Sequence, residues 1–162
     1  MADFSEYIGL PTGRGTVVVE RAPLTAFAKA VLDPNPVYRN ADEARAAGFA
    51  DIPAPPTFGF SIQNWGKWEE LQPDDAPARN PMYEVMGKLM AKGGMVLHGE
   101  QEFVYHQPVV VGQRLAYEGF VRDIYAKPTG DKTMTFLVIE DTYADDSGQP
   151  VLTSVMNLIH RG

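Results

Sequence analysis

Three side chains with chemical capacity crowd into one short stretch, Asp33-Pro34-Asn35-Pro36-Val37-Tyr38. A carboxylate can move a proton or hold water, an amide can fix a turn, and a phenol can donate a hydrogen bond. A residue before proline is pushed out of the α region. Asp33 and Asn35 are therefore expected on a turn, with Tyr38 close behind, all free to face a pocket. Further on, Ala54-Pro55-Pro56-Thr57-Phe58 reads as an extended lead into a helix, because proline in a first turn removes an N–H that had no intrahelical partner. Free N–H groups at that helix start would suit a carbonyl oxygen gaining negative charge. Asp33 also has a plainer reading, a turn residue before proline, and Phe58 one as core packing.

The other ionisable residues suggest less. His98, Glu100 and Glu102 alternate along an expected strand and would share one face. No further ligand spacing accompanies them, so no metal is expected, and the face reads as solvated or as an interface. His106 and His160 read as structural or solvated. The absence of cysteine excludes disulfides, thiolate catalysis and thiolate metal sites, and fits a reducing cytoplasm. Neither a Gly-rich phosphate loop nor Gly-x-Ser-x-Gly is present. Nucleotide enzymes and serine hydrolases are unsupported, and no cofactor is expected.

The net charge of −7 argues against nucleic acid and anionic membranes, which select basic patches. Met1-Ala2-Asp3-Phe4-Ser5-Glu6 is acidic and lacks the apolar core of a signal peptide. No apolar run reaches the roughly 20 residues of a membrane span. The expectation is a cytoplasmic protein, with residues 1–162 forming one domain.

The elements that must position these residues follow from periodicity. Thr16 to Glu20 is a β-branched run and a first strand. Leu24, Phe27, Ala28 and Val31 make one helical stripe, and that helix ends at Asp33. Asn40 to Gly48 predicts a short helix, with Asn40 as N-cap, Glu43 three residues on, and Gly48 at C′. Pro56 to Leu71 is the longest helix candidate, with Phe58, Ile62 and Trp65 on one side. Gln72 to Gly94 is read either as the wall of an acyl tunnel or as a mobile surface excursion. Met95–Gln107, Leu115–Ile124, Thr133–Tyr143 and Val151–His160 read as four strands. Turns at Lys127–Asp131 and Asp145–Gly148 join the last three into an antiparallel meander. Helices early and strands late give an α+β layer architecture.

The first motif resembles the Asp-x-Asn-Pro-(aliphatic)-His signature of MaoC-like hot-dog hydratases and 3-hydroxyacyl dehydratases. With Ala54–Phe58, Leu97-His98-Gly99-Glu100-Gln101, Tyr105-His106-Gln107-Pro108 and Gly112, the chain is similar to one branch. That branch, the FAS1-like dehydratase domains, includes substrate-holding subunits or N-terminal halves of (3R)-hydroxyacyl-thioester dehydratases. The similarity runs from about Val17 to Ile159. It implies a single hot-dog fold, an antiparallel sheet wrapped around a long central helix. It implies reversible hydration of a trans-2-enoyl thioester carried by CoA or acyl-carrier protein. It also implies pairing with a second hot-dog chain, identical or different, and a role for His98 in holding the strand or dimer together.

Two departures from the family pattern matter. Tyr38 stands where the signature has histidine, and a phenol is a poor substitute for imidazole near neutral pH. Pro55-Pro56 stands where catalytically complete relatives carry His-Gly, so one N–H donor is lost. The expected catalytic residues are Asp33 and Tyr38; Asn35, Pro56, Thr57 and Phe58 are expected to bind substrate. The reading is a hydro-lyase subunit that holds the acyl group while a partner supplies a complete Asp/His pair. A non-catalytic acyl-binding scaffold is the alternative. A hot-dog thioesterase is weaker, because Glu69 and Glu70 lie at the far end of the expected central helix.

Overall fold

A computed structural model describes residues 3–77, 79–130 and 132–162. Five strands, β1 (Pro11–Val18), β2 (Met95–Tyr105), β3 (Arg114–Thr129), β4 (Lys132–Ala144) and β5 (Pro150–Arg161), form one antiparallel sheet in the order β1-β3-β4-β5-β2. The period-two pattern of β3 explains its place: Leu115, Tyr117 and Val121 are buried between exposed neighbours. The meander β3-β4-β5 is as expected, and the first strand starts earlier than the β-branched run alone suggests. The chain continues as strand through Pro128 and Thr129 rather than turning there.

Four helices, α1 (Arg21–Ala30), α2 (Ala41–Ala46), α3 (Ile62–Trp65) and α4 (Met82–Met90), complete the described secondary structure with several short 3₁₀ turns. Leu24 and Ala28 of α1 are fully buried, and Phe27 packs beside them. Burial of one such leucine stabilises by about 1.5–3 kcal/mol. Asn40 caps α2, its side-chain oxygen accepting from the N–H groups of Asp42 and Glu43, and Gly48 takes the left-handed conformation at φ +92°.

The expected helix from Pro56 to Leu71 is not continuous. It divides into a 3₁₀ turn at Phe58–Phe60, the single turn α3, and a second 3₁₀ turn at Glu69–Leu71. Two glycines break it. A side chain at Gly59 would press on Leu152 and Phe103, and one at Gly66 would collide with the Val18 carbonyl. The Gly66 carbonyl instead accepts from Val18 N–H at 2.8 Å, tying the segment to β1. Both tryptophans are consequently displaced from the core: Trp65 and Trp68 are exposed, and Trp68 donates to Glu20 at 2.7 Å.

Residues 82–90 are a core element rather than a surface excursion. Met82, Val85 and Leu89 of α4 pack with Phe4, Tyr7, Val121, Leu137 and Ile139. A second apolar cluster gathers Val17, Leu24, Ile52, Phe58, Ile62, Leu115 and Leu152. The inner face of the sheet thus carries two apolar clusters, one under α1 and α3 and one under α4.

Candidate functional site

Helix α1 ends in a way that delivers Asp33. The N–H of Leu32 donates to the Lys29 carbonyl and that of Asp33 to the Ala28 carbonyl, the paired closing bonds of a Schellman motif. Leu32 occupies the left-handed position at φ +58° although it has a side chain, and it is 86% exposed. Such a conformation costs a non-glycine residue about 1–2 kcal/mol. The turn beyond it is self-braced. Asp33 Oδ1 accepts from Asn35 N–H at 2.9 Å, and Asn35 Oδ1 from Val37 N–H at 3.2 Å. The Arg39 guanidinium donates to the Asp33 carbonyl oxygen.

Tyr38 stands near both Asp33 and Tyr105. Partial burial and the Asp33 charge hold its phenol above the ordinary value. Burial, with Tyr38 adding to it, pushes Tyr105 up to about 12. Both phenols therefore stay protonated and can donate at neutral pH. Tyr105 donates to the Pro56 carbonyl. A cavity of about 380 Å³ opens between these elements, lined by Tyr38, Phe49, Pro53, Ala54, Pro56, Tyr105, His106, Gln107, Pro108 and Val109. Its size and mostly apolar wall suit a small hydrocarbon-bearing ligand.

The expected site residues divide. Tyr38 and Pro56 line the cavity, while Asp33 and Asn35 occupy the turn behind Tyr38. Thr57 follows Pro56, and among the described residues its N–H meets no acceptor. Phe58 is placed differently from the substrate contact expected of it. Its ring is 1% exposed and meets Phe27 edge-on at 5.5 Å, and its N–H donates to the Pro55 carbonyl. The pull of the core on a large apolar ring explains the difference.

His106, expected to be structural or solvated, lines the cavity with Tyr38, its Nε2 3.1 Å from Thr153 Oγ1. Its place beside Tyr105 was the available signal. The shared face expected for His98, Glu100 and Glu102 does not form, because a bulge interrupts β2 between His98 and Gln101. His98 packs against the ring of Phe60, and Glu100 accepts from Asn157 at 3.0 Å. His160 is buried and bonds the Gly93 carbonyl at 2.8 Å. A larger cavity of about 710 Å³ lies near Lys92, Lys132 and His160, at the other end of β5, and contains none of the expected site residues.

The model of the FAS1-like dehydratase domain region matches residues 6–154. The chain belongs to this family. The FAS1-like dehydratase domain has curated relatives of matching length. One from Saccharopolyspora erythraea, named only UPF0336 protein, is 33% identical over 144 residues, covering 89% of this chain and 81% of the relative. Among solved structures, the C-terminally truncated HadBC (3R-hydroxyacyl-ACP dehydratase) complex of Mycobacterium tuberculosis superposes with a TM-score of 0.67 at 18% identity. That match covers 94% of this chain and 96% of its counterpart. The ChsH1-ChsH2 complex of the same organism gives 0.70 at 21% identity, covering 92% and 87%. These likenesses establish the hot-dog fold for the FAS1-like dehydratase domain described above. Its inner layer is a series of short turns where a long central helix was expected.

Proposed function

We propose that this chain is the acyl-holding half of an (R)-specific enoyl-thioester hydratase or 3-hydroxyacyl-thioester dehydratase, acting on CoA or acyl-carrier-protein thioesters. The observation that carries the reading is the cavity between Tyr38, Pro56 and Tyr105, which has apolar walls, donors on one side, and a tyrosine where the signature places its general acid-base. The acyl group lies against Phe49, Pro53 and Val109. The Thr57 N–H meets the thioester oxygen, the donor that Pro55 and Pro56 cannot supply. Asp33 orients water or the 3-hydroxyl, and Tyr38 donates a hydrogen bond in place of the histidine. This chemistry needs only proton transfer and a polarised carbonyl.

A second hot-dog chain supplies the complete Asp/His pair. Two structural neighbours are described as complexes, HadBC and ChsH1-ChsH2, which supports a paired assembly. β2 is an outer strand of the sheet and exposes Leu97, Val104 and Tyr105. An unpaired strand edge with apolar side chains is a ready partner for another sheet. Among the described residues no helix is long and apolar enough to cross a membrane.

His106 favours a second reading, in which this imidazole in the same cavity gives the chain its own proton relay. The test is hydration of a trans-2-enoyl-CoA by the purified chain, beside Asp33→Ala, Tyr38→Phe and His106→Ala. Binding without turnover supports the holding role. Turnover lost in His106→Ala supports the self-sufficient enzyme. Neither binding nor turnover overturns both.

A further inference from the structure

The cavity of about 710 Å³ beside Lys92, Lys132 and His160 holds none of the residues assigned to the acyl thioester. Its floor is the last stretch of the sheet's inner face. Ala126 of β3, Thr135 of β4 and His160 of β5 stand in one cross-strand row, and Ile124, Leu137 and Leu158 stand in the next. Leu137 belongs to the apolar cluster under α4, with Ile124 and Leu158 packed against it. The rows are two residues apart along each strand, so the Thr135 row looks the same way. The roof is the N-terminal segment at Phe4 and Ser5, with the end of α4 at Leu89. The space arises because α4 stops at Met90 while β3 and β4 run on until Thr129 pairs with Lys132.

The lining has two characters. Phe4, Leu89 and Ile124 carry the apolar cluster into the cavity wall. Buried Thr135 and exposed Thr133 bring hydroxyls. His160 is buried, and its Nε2 meets the Gly93 carbonyl at 2.8 Å. A carbonyl only accepts, so that nitrogen carries a hydrogen. Lys92, just past α4, and Lys132, the first residue of β4, are exposed and line the cavity as well. Among the described residues neither lysine pairs with a carboxylate. Asp3 is the one acidic side chain among the described residues of the lining, and its carboxylate accepts from Ser5 N–H at 2.9 Å. In a chain of net charge −7, two lysines beside an apolar hollow make a local field that draws an anion.

We propose that this cavity binds a free medium-chain carboxylate, its hydrocarbon against Phe4, Leu89 and Ile124 and its head group held by Lys92 and Lys132. A hollow of this size takes a chain of about ten carbons. A small inorganic anion would leave the apolar wall in water, and a neutral hydrocarbon would leave the lysines without a counter-charge. A carboxylate on a hydrocarbon chain answers both halves of the lining. The site is separate from Tyr38, Asp33 and the acyl cavity, so it stands or falls independently of the hydro-lyase reading.

The test is nuclear magnetic resonance of the whole chain, its histidines isotope-labelled, during addition of decanoate, decyltrimethylammonium or acetate. The chain has three histidines, and they report on different places: His160 lines this cavity, His106 lines the one beside Tyr38, and His98 lines neither. Decanoate should shift the His160 ring signals saturably, whatever it does to His106. Acetate should leave His160 unmoved at the same concentrations, and decyltrimethylammonium should bind at least about tenfold more weakly than decanoate. Lys92→Gln combined with Lys132→Gln changes two exposed side chains, so the fold and its circular dichroism should hold. Decanoate affinity read at His160 should fall about five- to tenfold in that variant. His160 signals unmoved by decanoate, with or without a shift at His106, would overturn the proposal. Equal binding of the quaternary ammonium, or unchanged decanoate affinity in the double variant, would make the cavity an apolar hollow without a head-group site and overturn it as well.

Discussion

The hydroxyl of Tyr105 donates to the carbonyl of Pro56, so a side chain on the outer strand β2 fixes the peptide that joins Pro56 to Thr57. In a trans peptide the carbonyl and the following N–H point in opposite directions. Holding the Pro56 oxygen on Tyr105 fixes the plane of that peptide and with it the direction of the Thr57 N–H, the donor assigned to the thioester oxygen. Tyr105→Phe removes the anchor with little change of shape. Acyl-CoA affinity, measured by calorimetric titration, should fall roughly tenfold, the worth of about one hydrogen bond. The melting curve should stay close to wild type. Unaltered affinity would show that the Thr57 N–H does not meet the ligand.

Gly66 fixes the broken inner layer. Its carbonyl accepts from Val18 N–H, and an added Cβ would run into the Val18 carbonyl. Gly66→Ala gains helix propensity of about 1 kcal/mol but must push a backbone strand aside. The clash outweighs the propensity, because backbone cannot move as a flexible side-chain tip can. Chemical denaturation should show a loss of about 2–4 kcal/mol. A variant as stable as wild type would mean that the segment can pull off β1 and continue as helix.

The sequence pattern displays some of these features and hides others. Strand β3 is legible because alternation at period two is written into it, and β4 and β5 because each is a run rich in β-branched and apolar residues bounded by turn residues. The stripe Leu24, Phe27, Ala28 and the Asn40 cap are equally local. The division of residues 56–71 is not, since Phe58, Ile62 and Trp65 keep helical spacing while Gly66 answers to Val18, 48 residues earlier. The β2 bulge that separates His98 from Glu100 leaves no mark on the alternation. Asp33, Asn35 and Tyr38 stand out as a motif, whereas Asp141 acquires its meaning from Gly119 and Ser154 on two other strands. A Glu140-Asp141 pair directly after the apolar run Phe136–Ile139 was the local sign of it.

The edge of β2 tests the paired assembly. Val104 is exposed there beside Tyr105, and the strand has a neighbour on only one side. A lysine at this position would bring two like charges together in a symmetric pair, or desolvate one charge in an asymmetric pair. Val104→Lys should shift the chain toward monomer in sedimentation velocity, with its circular dichroism unchanged. A wild-type chain already monomeric at high concentration would point to a different partner chain, and the same variant should then weaken capture of that partner.

Asp141 gives stability a pH dependence of definite sign. Burial pushes its carboxyl from 3.8 up to about 6, so the folded chain holds this proton more tightly than the unfolded chain does. Below 3.8 both states are protonated and the group is neutral in its effect. As pH rises from 3.8 to about 6, the unfolded chain ionises first and the folded state loses ground. Above that window the loss is complete, at about 3 kcal/mol by the size of the rise. Asp141→Asn keeps the shape and the hydrogen-bonding capacity but cannot ionise. Its stability relative to wild type, from urea unfolding at pH 4.5, 5.5, 6.5 and 7.5, should improve across the first three and then level off. A constant difference between the two proteins over that range would mean that Asp141 is better solvated than its place between Gly119 and Ser154 implies.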